Sequence, residues 1–349
     1  MATSPLPDPD NAPGGEGMSD EELAQLLEGH EQRAVGYFDS EIAKEQAKAI
    51  EYYYGNVNDV PVLDGCSSAV DHTVAITVDN GLASVLKPFV SAEEVVAFDP
   101  VGEEDVEMAE QATEYVNHVI HKDNSGFLIL HNWFKDALLS KIGIVKVWWE
   151  DKTRTEVVPQ VVDAMGLLAA REAEGYLDEE DNGDGTFTVR LEQVIPDGRE
   201  KICGVPPEEF LISPHARSIE FGECPYAAHK PSNFTRSDLV GLGFDRDIVD
   251  ALPSMASDEM GEARRRARYA DQEWYSSTRE AIGSDKSAET IAVLDEFVLC
   301  DYVGDGIAEM RRVLRVGATI LFNEKADDNA FAILCPVPMP HKVIGRSLA

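Results

Sequence analysis

The chain has 349 residues and is strongly acidic, because 65 Asp and Glu residues against 30 Lys and Arg residues give a net charge of −35. A surface of that sign repels phosphate and anionic lipid, which argues against tight, sequence-independent DNA binding. The hydrophobic fraction of 44% is typical of a globular protein, and no apolar run approaches the ~18 residues that span a bilayer. The length predicts one large or two medium-sized domains.

The first residues and the cysteines indicate a cytosolic protein. Residues 1–18 are rich in Pro, Gly and Asp and lack the basic and apolar regions of a secretion signal, so we predict a disordered tail. The cysteines are widely spaced and include no CxxC pair, which argues against a disulfide framework or a zinc ribbon and for reduced thiols. They are Cys66, Cys203, Cys224, Cys300 and Cys335.

Residues 19–152 are predicted to be mainly helical and to end in a strand. Ser19 and Glu22 have the spacing of a capping box, and the apolar pattern that follows predicts one helix as far as three tyrosines and Gly55. Aromatic packing at this helix end is the preferred interpretation of the tyrosines over base stacking. Asn56 begins a loop.

The rest of this first region contains three more predicted helices. Residues 67–90 indicate a buried helix, and residues 103–121 a helix with an acidic first turn. Residues 127–141 form an apolar helix, Gly143 follows it, and residues 144–150 are typical of a strand. This helix–Gly–strand unit is the clearest pattern in the first half of the chain.

Residues 153–290 are interpreted as an inserted α/β region. It is predicted to contain a helix at 164–174, an acidic turn at 178–185, strands at 186–194, 201–205, 206–212 and 224–230, a short helix capped by Thr235 or Ser237, and a second at 245–252.

Residues 291–349 are predicted to be rich in strands. Residues 291–302 and 308–316 alternate around an Asp-Gly pair and indicate a hairpin, with extended stretches at 319–322 and 331–337. The Gly-Arg-Ser step at 345–347 suggests a hinge and the N-cap of a helix that would follow. The fold class expected for the whole chain is α+β, with a helical N-terminal half and mixed or antiparallel sheets.

No catalytic site is visible in the sequence. The chain has no GxSxG, GxxxxGK[ST] or HExxH motif, and no GxGxxG after a strand. Its acidic residues are too numerous for one pair to stand out as an acid–base couple. We therefore predict that the protein is not an enzyme and has no cofactor, with an uncharacterised hydrolase as an alternative.

Metal binding is the other alternative, as an acidic metal-binding module. His118 and His121 are three residues apart on a predicted helix, but the sequence shows no full ligand set, so surface histidines are the preferred interpretation. The Asp-rich stretches 178–185 and 301–306 imitate calcium loops, but both lack the acid at position twelve. Hairpin turns are therefore preferred for both.

One basic cluster interrupts the acidic sequence and consists of Arg264, Arg265, Arg266 and Arg268. This cluster is weak evidence for a nucleic-acid-binding patch, because the negative electrostatic field of the whole chain repels nucleic acid. We predict a charged helix face that contacts an acidic neighbouring subunit.

Four stretches occur in an order and spacing that resemble portal proteins of tailed bacteriophages, most closely the large portals of short-tailed phages. They are the helix–Gly–strand unit at 137–150, the turn and strand at 206–215 followed by 228–230, the hairpin block at 296–322, and residues 331–347. No stretch is a chemical motif by itself. The resemblance rests on collinearity from about residue 20 onward.

The resemblance implies a wing-like structural subunit of a ring, usually of twelve copies, at one capsid vertex. Such a ring is the channel for DNA packaging and ejection, and double-stranded DNA passes through it without sequence-specific binding. The implied partners are further copies, the major capsid or scaffolding protein, the terminase motor, and tail or head-completion proteins. The implied location is the virion, after synthesis in the host cytoplasm. Relatives continue into channel helices, a clip and a crown, so this chain is expected to be the amino-terminal part.

Overall fold

The computed structural model describes residues 17–349 apart from 39–41, 58, 60–64, 66, 68, 93, 174, 221, 232–233, 255–267 and 269–285. Most of the predicted tail, Cys66 and three arginines of the basic cluster therefore lie outside the described residues. Among the described residues, no helix combines the length and the apolar character needed to cross a membrane.

The α-helices are α1 Asp20–Tyr37, α2 Ala43–Tyr53, α3 Thr73–Ser91, α4 Val106–His118, α5 Gly126–Ser140, α6 Ala164–Glu172, α7 Arg236–Gly241 and α8 Arg246–Ala251. The strands are β1 Gly143–Glu150, β2 Thr153–Asp163, β3 Tyr176–Asp181, β4 Thr186–Pro196, β5 Arg199–Val205, β6 Phe210–Ile212, β7 Tyr226–His229, β8 Val293–Cys300, β9 Glu309–Val316, β10 Thr319–Lys325, β11 Phe331–Leu334, β12 Val337–Met339 and β13 Lys342–Arg346. The predicted α+β fold is confirmed.

Within the described residues, the strands form four small sheets. The largest has the order β10-β9-β8-β7-β6 and is antiparallel throughout. The others have the orders β11-β1-β5, β2-β4-β3 and β12-β13. Contacts divide the chain into two compact units, Met1–Trp148 with Ile202–Ala349, and Trp149–Lys201. We call them the main unit and the small unit.

The described part of the main unit contains three hydrophobic clusters. In the first, Leu23 and Leu27 of α1 lie in the same buried cluster as Tyr226 and Phe297 of the large sheet. The second joins α7 and α8 to β8, β9 and β10, and the third joins α3 to α5. β6, β7, α7 and α8, which the sequence placed within 153–290, belong by their contacts to this unit. The domain boundaries at 18, 152 and 290 stay a prediction.

The small unit is built from one sheet and one helix. Its core consists of Leu167 and Ala170 of α6 packed against Val189 and Leu191 of β4. This is a minimal core, and it covers one face of the β2-β4-β3 sheet.

Local chemistry explains the elements that the sequence predicted best. At the start of α1, the Ser19 hydroxyl accepts a hydrogen bond from the Glu22 amide, and the Glu22 carboxylate accepts one from the Ser19 amide. After α5, Lys141 adopts a left-handed conformation with φ 69°. A Cβ at Gly143 would lie 2.2 Å from the carbonyl oxygen of Trp133, so only glycine fits between this helix and β1.

Several predicted elements need correction. The helix predicted after Ser19 is α-helical at Asp20–Tyr37 and at Ala43–Tyr53, and its continuity stays a prediction because residues 39–41 lie outside the described residues. The helix predicted at 67–90 begins at Thr73 and is not fully buried, since it is amphipathic and buries Val78, Leu82 and Leu86 on one face. The acidic stretch after residue 178 begins inside β3, and β2 was not predicted.

The proposed hinge at 345–347 is wrong for its first two residues. Gly345 and Arg346 are in strand β13, which pairs with β12. A Cβ at Gly345 would lie 2.1 Å from the carbonyl oxygen of Val337, so glycine permits the close approach of these two strands. Its role is packing in a hairpin.

Candidate functional site

The charged side chains of the large sheet form two buried groups around neighbouring residues of β8. Asp295 contacts Lys146 of β1, with 2.5 Å between Nζ and Oδ2, and Arg312 of β9, with 3.1 Å from Nε to Oδ1. Burial alone would raise the pKa of Asp295, but Arg312 and Lys146 together hold it well below its usual range. Asp295 is therefore ionised and joins β1 to the large sheet.

The second group surrounds Glu296, which is fully buried. Its carboxylate accepts hydrogen bonds from the hydroxyl of Tyr226, at 2.7 Å, and from the guanidinium of Arg315. Arg315 Nη2 also donates to Glu31 of α1 at 2.5 Å. Burial raises the pKa of Glu296 despite its Arg315 partner, and it raises the pKa of Tyr226 well above its usual value, with Glu296 adding to that effect.

These two groups fix three layers of the main unit to one another. Successive side chains of a strand point to opposite faces, so Asp295 and Glu296 act on opposite sides of β8. One face is tied to β1 through Lys146, and the other to α1 through Arg315 and Glu31. Removing one partner of such a pair leaves a buried charge uncompensated, which costs about 3–5 kcal/mol. The arrangement gives the layers a defined orientation.

Arg268 is the one member of the basic cluster within the described residues. Its Nη1 lies 2.7 Å from Asp136 Oδ1 of α5, and its Nε lies 2.9 Å from Glu208 Oε1. Burial raises the pKa of Asp136 although Arg268 acts in the opposite direction. Both carboxylates belong to the same chain as Arg268. Contacts of Arg264, Arg265 and Arg266 with a neighbouring subunit stay a prediction, because these residues lie outside the described part.

A cavity of about 370 Å³ lies beside Arg268 in the main unit. Its wall includes Tyr53 and Tyr54 at the end of α2, and Trp133 and Lys135 of α5. The Tyr53 hydroxyl donates to Asp79, and the Tyr54 hydroxyl donates to the carbonyl oxygen of Arg268. These tyrosines were predicted to pack at a helix end, and their rings meet edge to face at 5.6 Å.

The predicted metal candidates do not form a ligand set. His118 Nε2 lies 3.6 Å from Asp123 Oδ1. Within the described ranges, no group of three or more His, Cys, Asp or Glu side chains is placed to hold a metal ion.

In the stretch at 301–306, which resembles a calcium loop, the carboxylate of Asp301 binds the backbone amides of the turn. Asp301 accepts hydrogen bonds from the amides of Gly304, Asp305 and Gly306 at 2.7–3.0 Å. β8 and β9 pair on either side of it, so the predicted hairpin is confirmed.

Sequence reasoning missed the buried ionic groups. The signal was present as charged residues inside otherwise apolar strands, namely Asp295 and Glu296 in β8 and three arginines in β9. Acids and arginines on paired strands predict ion pairs once the pairing is known. These side chains form ion pairs and hydrogen bonds with one another, which stabilise the arrangement of the strands.

The described residues form an α+β fold in which buried ion pairs join the layers of the main unit. The family model of the phage SU10 portal protein matches residues 23–349, and the chain belongs to this family. The resemblance to portal proteins, which the sequence showed from about residue 20, is thereby confirmed. Portal proteins are a structural, non-enzymatic class of capsid component that forms oligomeric assemblies. No curated protein matches the chain.

Proposed function

We propose that the chain is a subunit of a closed ring at one capsid vertex, where it forms part of the conduit for DNA packaging and ejection. The observation that carries this proposal is the match of residues 23–349 to a portal family. In a ring of this kind, the subunit supplies shape and rigidity, while the motor supplies the energy. The buried groups around Asp295 and Glu296 support that role, because they fix the layers of the main unit.

The net charge of −35 supports passage of DNA without adhesion. Affinity for duplex DNA comes mainly from cations that displace the counterions of its phosphates. An acidic wall releases no such counterions and repels the phosphate backbone. Double-stranded DNA therefore passes the ring without sequence-specific binding.

Ring closure requires a contact in which one surface of a subunit meets a different surface of the next. The helices α3, α4 and α5 expose several large apolar side chains that suit such a contact: Ile76, Val85, Met108 and Leu128. In our proposal this surface and the basic cluster, including Arg264, Arg265 and Arg266, face the next subunit. Twelve copies are the number expected from the resemblance.

The same proposal assigns the partners of the ring. They are the major capsid or scaffolding protein around it, the terminase motor during packaging, and tail or head-completion proteins afterwards. The subunit is made in the cytoplasm of the host bacterium and becomes part of the virion.

The test is to locate the protein in particles of the phage that encodes it. Gold-labelled antibodies raised against this chain are applied to opened particles and viewed by electron microscopy. We expect label at a single vertex of each particle. Label spread over all vertices, or found only in the lysate, would overturn the proposal.

A further inference from the structure

The small unit has a sheet face that its own helix does not cover. α6 packs on one face of the β2-β4-β3 sheet through Leu167 and Ala170. The register of the strands defines the opposite face, which we call the open face. Its cross-strand rows are Thr155–Val194, Val157–Glu192, Pro159–Arg190–Asp178 and Val161–Thr188–Glu180.

The open face combines an apolar stripe with an acidic border. Val157, Val161 and Val194 are 50%, 68% and 67% exposed, and Pro159 between the first two is exposed as well. Contiguous exposed apolar side chains with a polar rim mark surfaces that other molecules contact. The three valines are β-branched, and their restricted χ1 angles make the stripe stiff.

The acidic border lies beside the stripe. Arg190 is paired with Asp178 at 2.8 Å between Nε and Oδ1. Glu180 and Glu192 have no cation within 4 Å among the described residues, and both are exposed. Glu192 stands opposite Val157, so acidic and apolar groups are within reach of one docked segment.

The net charge of the small unit indicates which kind of molecule binds the open face. Residues 149–201 contain 14 Asp and Glu residues against 6 Lys and Arg residues, a net charge of −8. The same unit of a second copy, docked on this face, would bring like charges together, which opposes self-association through two small units. Pro159 also lacks the amide that a strand added beside β2 would use, which argues against extension of the sheet at this edge.

We propose that the open face binds an amphipathic, basic segment of a partner protein, with its apolar side chains on the valine stripe and its Lys or Arg side chains on Glu180 and Glu192. The proposal is argued from the small unit alone. It therefore stands or falls separately from the ring proposed above.

The probe is a synthetic helical peptide of about 18 residues, or five turns, with Leu on one face and Lys on the other. A control peptide has the same composition with Leu and Lys redistributed, so that it has no apolar face. Binding to the whole chain is measured by fluorescence anisotropy, and the methyl signals of Val157, Val161 and Val194 are followed by NMR. We expect the amphipathic peptide alone to shift these signals.

Two variants locate the binding surface. Val157→Thr/Val161→Thr/Val194→Thr keeps shape and charge but removes the apolar stripe, and we expect affinity about tenfold weaker. Met165→Thr/Leu168→Thr alters exposed apolar residues of α6 instead and should leave the affinity within about twofold.

Three results would overturn the proposal. The first is equal binding of both peptides, which would show only general attraction to an acidic protein. The second is an affinity that the triple variant leaves unchanged. The third is self-association, seen by analytical ultracentrifugation, that the triple variant abolishes, because a second copy would then be the occupant.

Discussion

The large sheet of the main unit and the three-stranded sheet of the small unit both contain ion pairs between neighbouring strands. These pairs are buried in the large sheet and exposed in the small one. Both sheets are antiparallel, and in both an acid forms an ion pair with an arginine of the neighbouring strand. In the large sheet, Asp295 and Arg312 are almost completely removed from solvent, whereas in the small sheet Asp178 and Arg190 are about half exposed. An ion pair stabilises a fold according to its burial and its hydrogen bonds, so the two sheets should respond very differently to the same substitution.

The largest expected effect is at Asp295. Asp295→Asn keeps the shape of the side chain but leaves Lys146 and Arg312 without their buried carboxylate. We expect a loss of about 3–5 kcal/mol in the free energy of unfolding of the main unit, measured by urea denaturation of the whole chain.

The matched control is Asp178→Asn in the small sheet. Its partner Arg190 is exposed, so the expected loss is below about 1 kcal/mol. Equal losses for the two variants would show that burial does not distinguish these sheets.

A second prediction concerns the cores. Leu167→Ala truncates one of the four buried apolar side chains in the described core of the small unit, and leucine truncation in a core costs about 2–5 kcal/mol. We expect faster amide hydrogen exchange throughout the strands β2, β3 and β4. Exchange in β8 and β9 should stay unchanged. Equal acceleration in both sheets would show that the units open together rather than separately.

The third prediction follows from the pKa of Asp295, which is lowered in the folded protein. A carboxyl of this kind stabilises the fold above its unfolded pKa, about 3.9, and the stabilisation is lost as pH falls toward the folded pKa. The stability difference between wild type and Asp295→Asn should therefore be constant from about pH 7 to pH 5 and shrink below about pH 4. The raised pKa of Glu296 is common to both proteins and cancels in this difference.

The measurement is a series of urea denaturations of both proteins across that pH range. A difference that stays constant down to the lowest pH at which both proteins fold would contradict the assignment of an ionised Asp295.

The smallest expected effect is at the start of α1. Ser19→Ala removes the hydroxyl that accepts the amide of Glu22, and loss of such a cap costs about 1 kcal/mol. Glu31 ties α1 to the large sheet more strongly through Arg315, so the helix should remain docked. Circular dichroism should show unchanged helix content with a slightly lower urea midpoint. A loss as large as that of Asp295→Asn would show that the cap, rather than the buried group, holds α1.

Patterns that are local in sequence were predictable. The capping box at Ser19, the α5–Gly143–β1 unit and the β8–β9 hairpin each depend on residues close together in the chain. Strand β2 was missed because its valines occur in two adjacent pairs, at 157–158 and 161–162, and so give no period-two alternation.

The buried ionic groups could not be predicted from the sequence, for a different reason. Charged residues are usually solvated, so Asp295 and Glu296 gave no reason to expect burial. Lys146 and Asp295 are also 149 residues apart, and only the folded arrangement brings them together. The family itself was predictable because the order of several weak matches carries information that no single stretch contains.

The central claim is that this acidic chain is a portal subunit. The most direct measurement is cryo-electron microscopy of the protein purified from cells that express its complete gene. We predict closed rings of one subunit number, with the main unit fitting each repeat of the density and the helices α3–α5 at the contact between neighbours. A protein that stays monomeric at every concentration tested, or that forms open filaments, would contradict the claim.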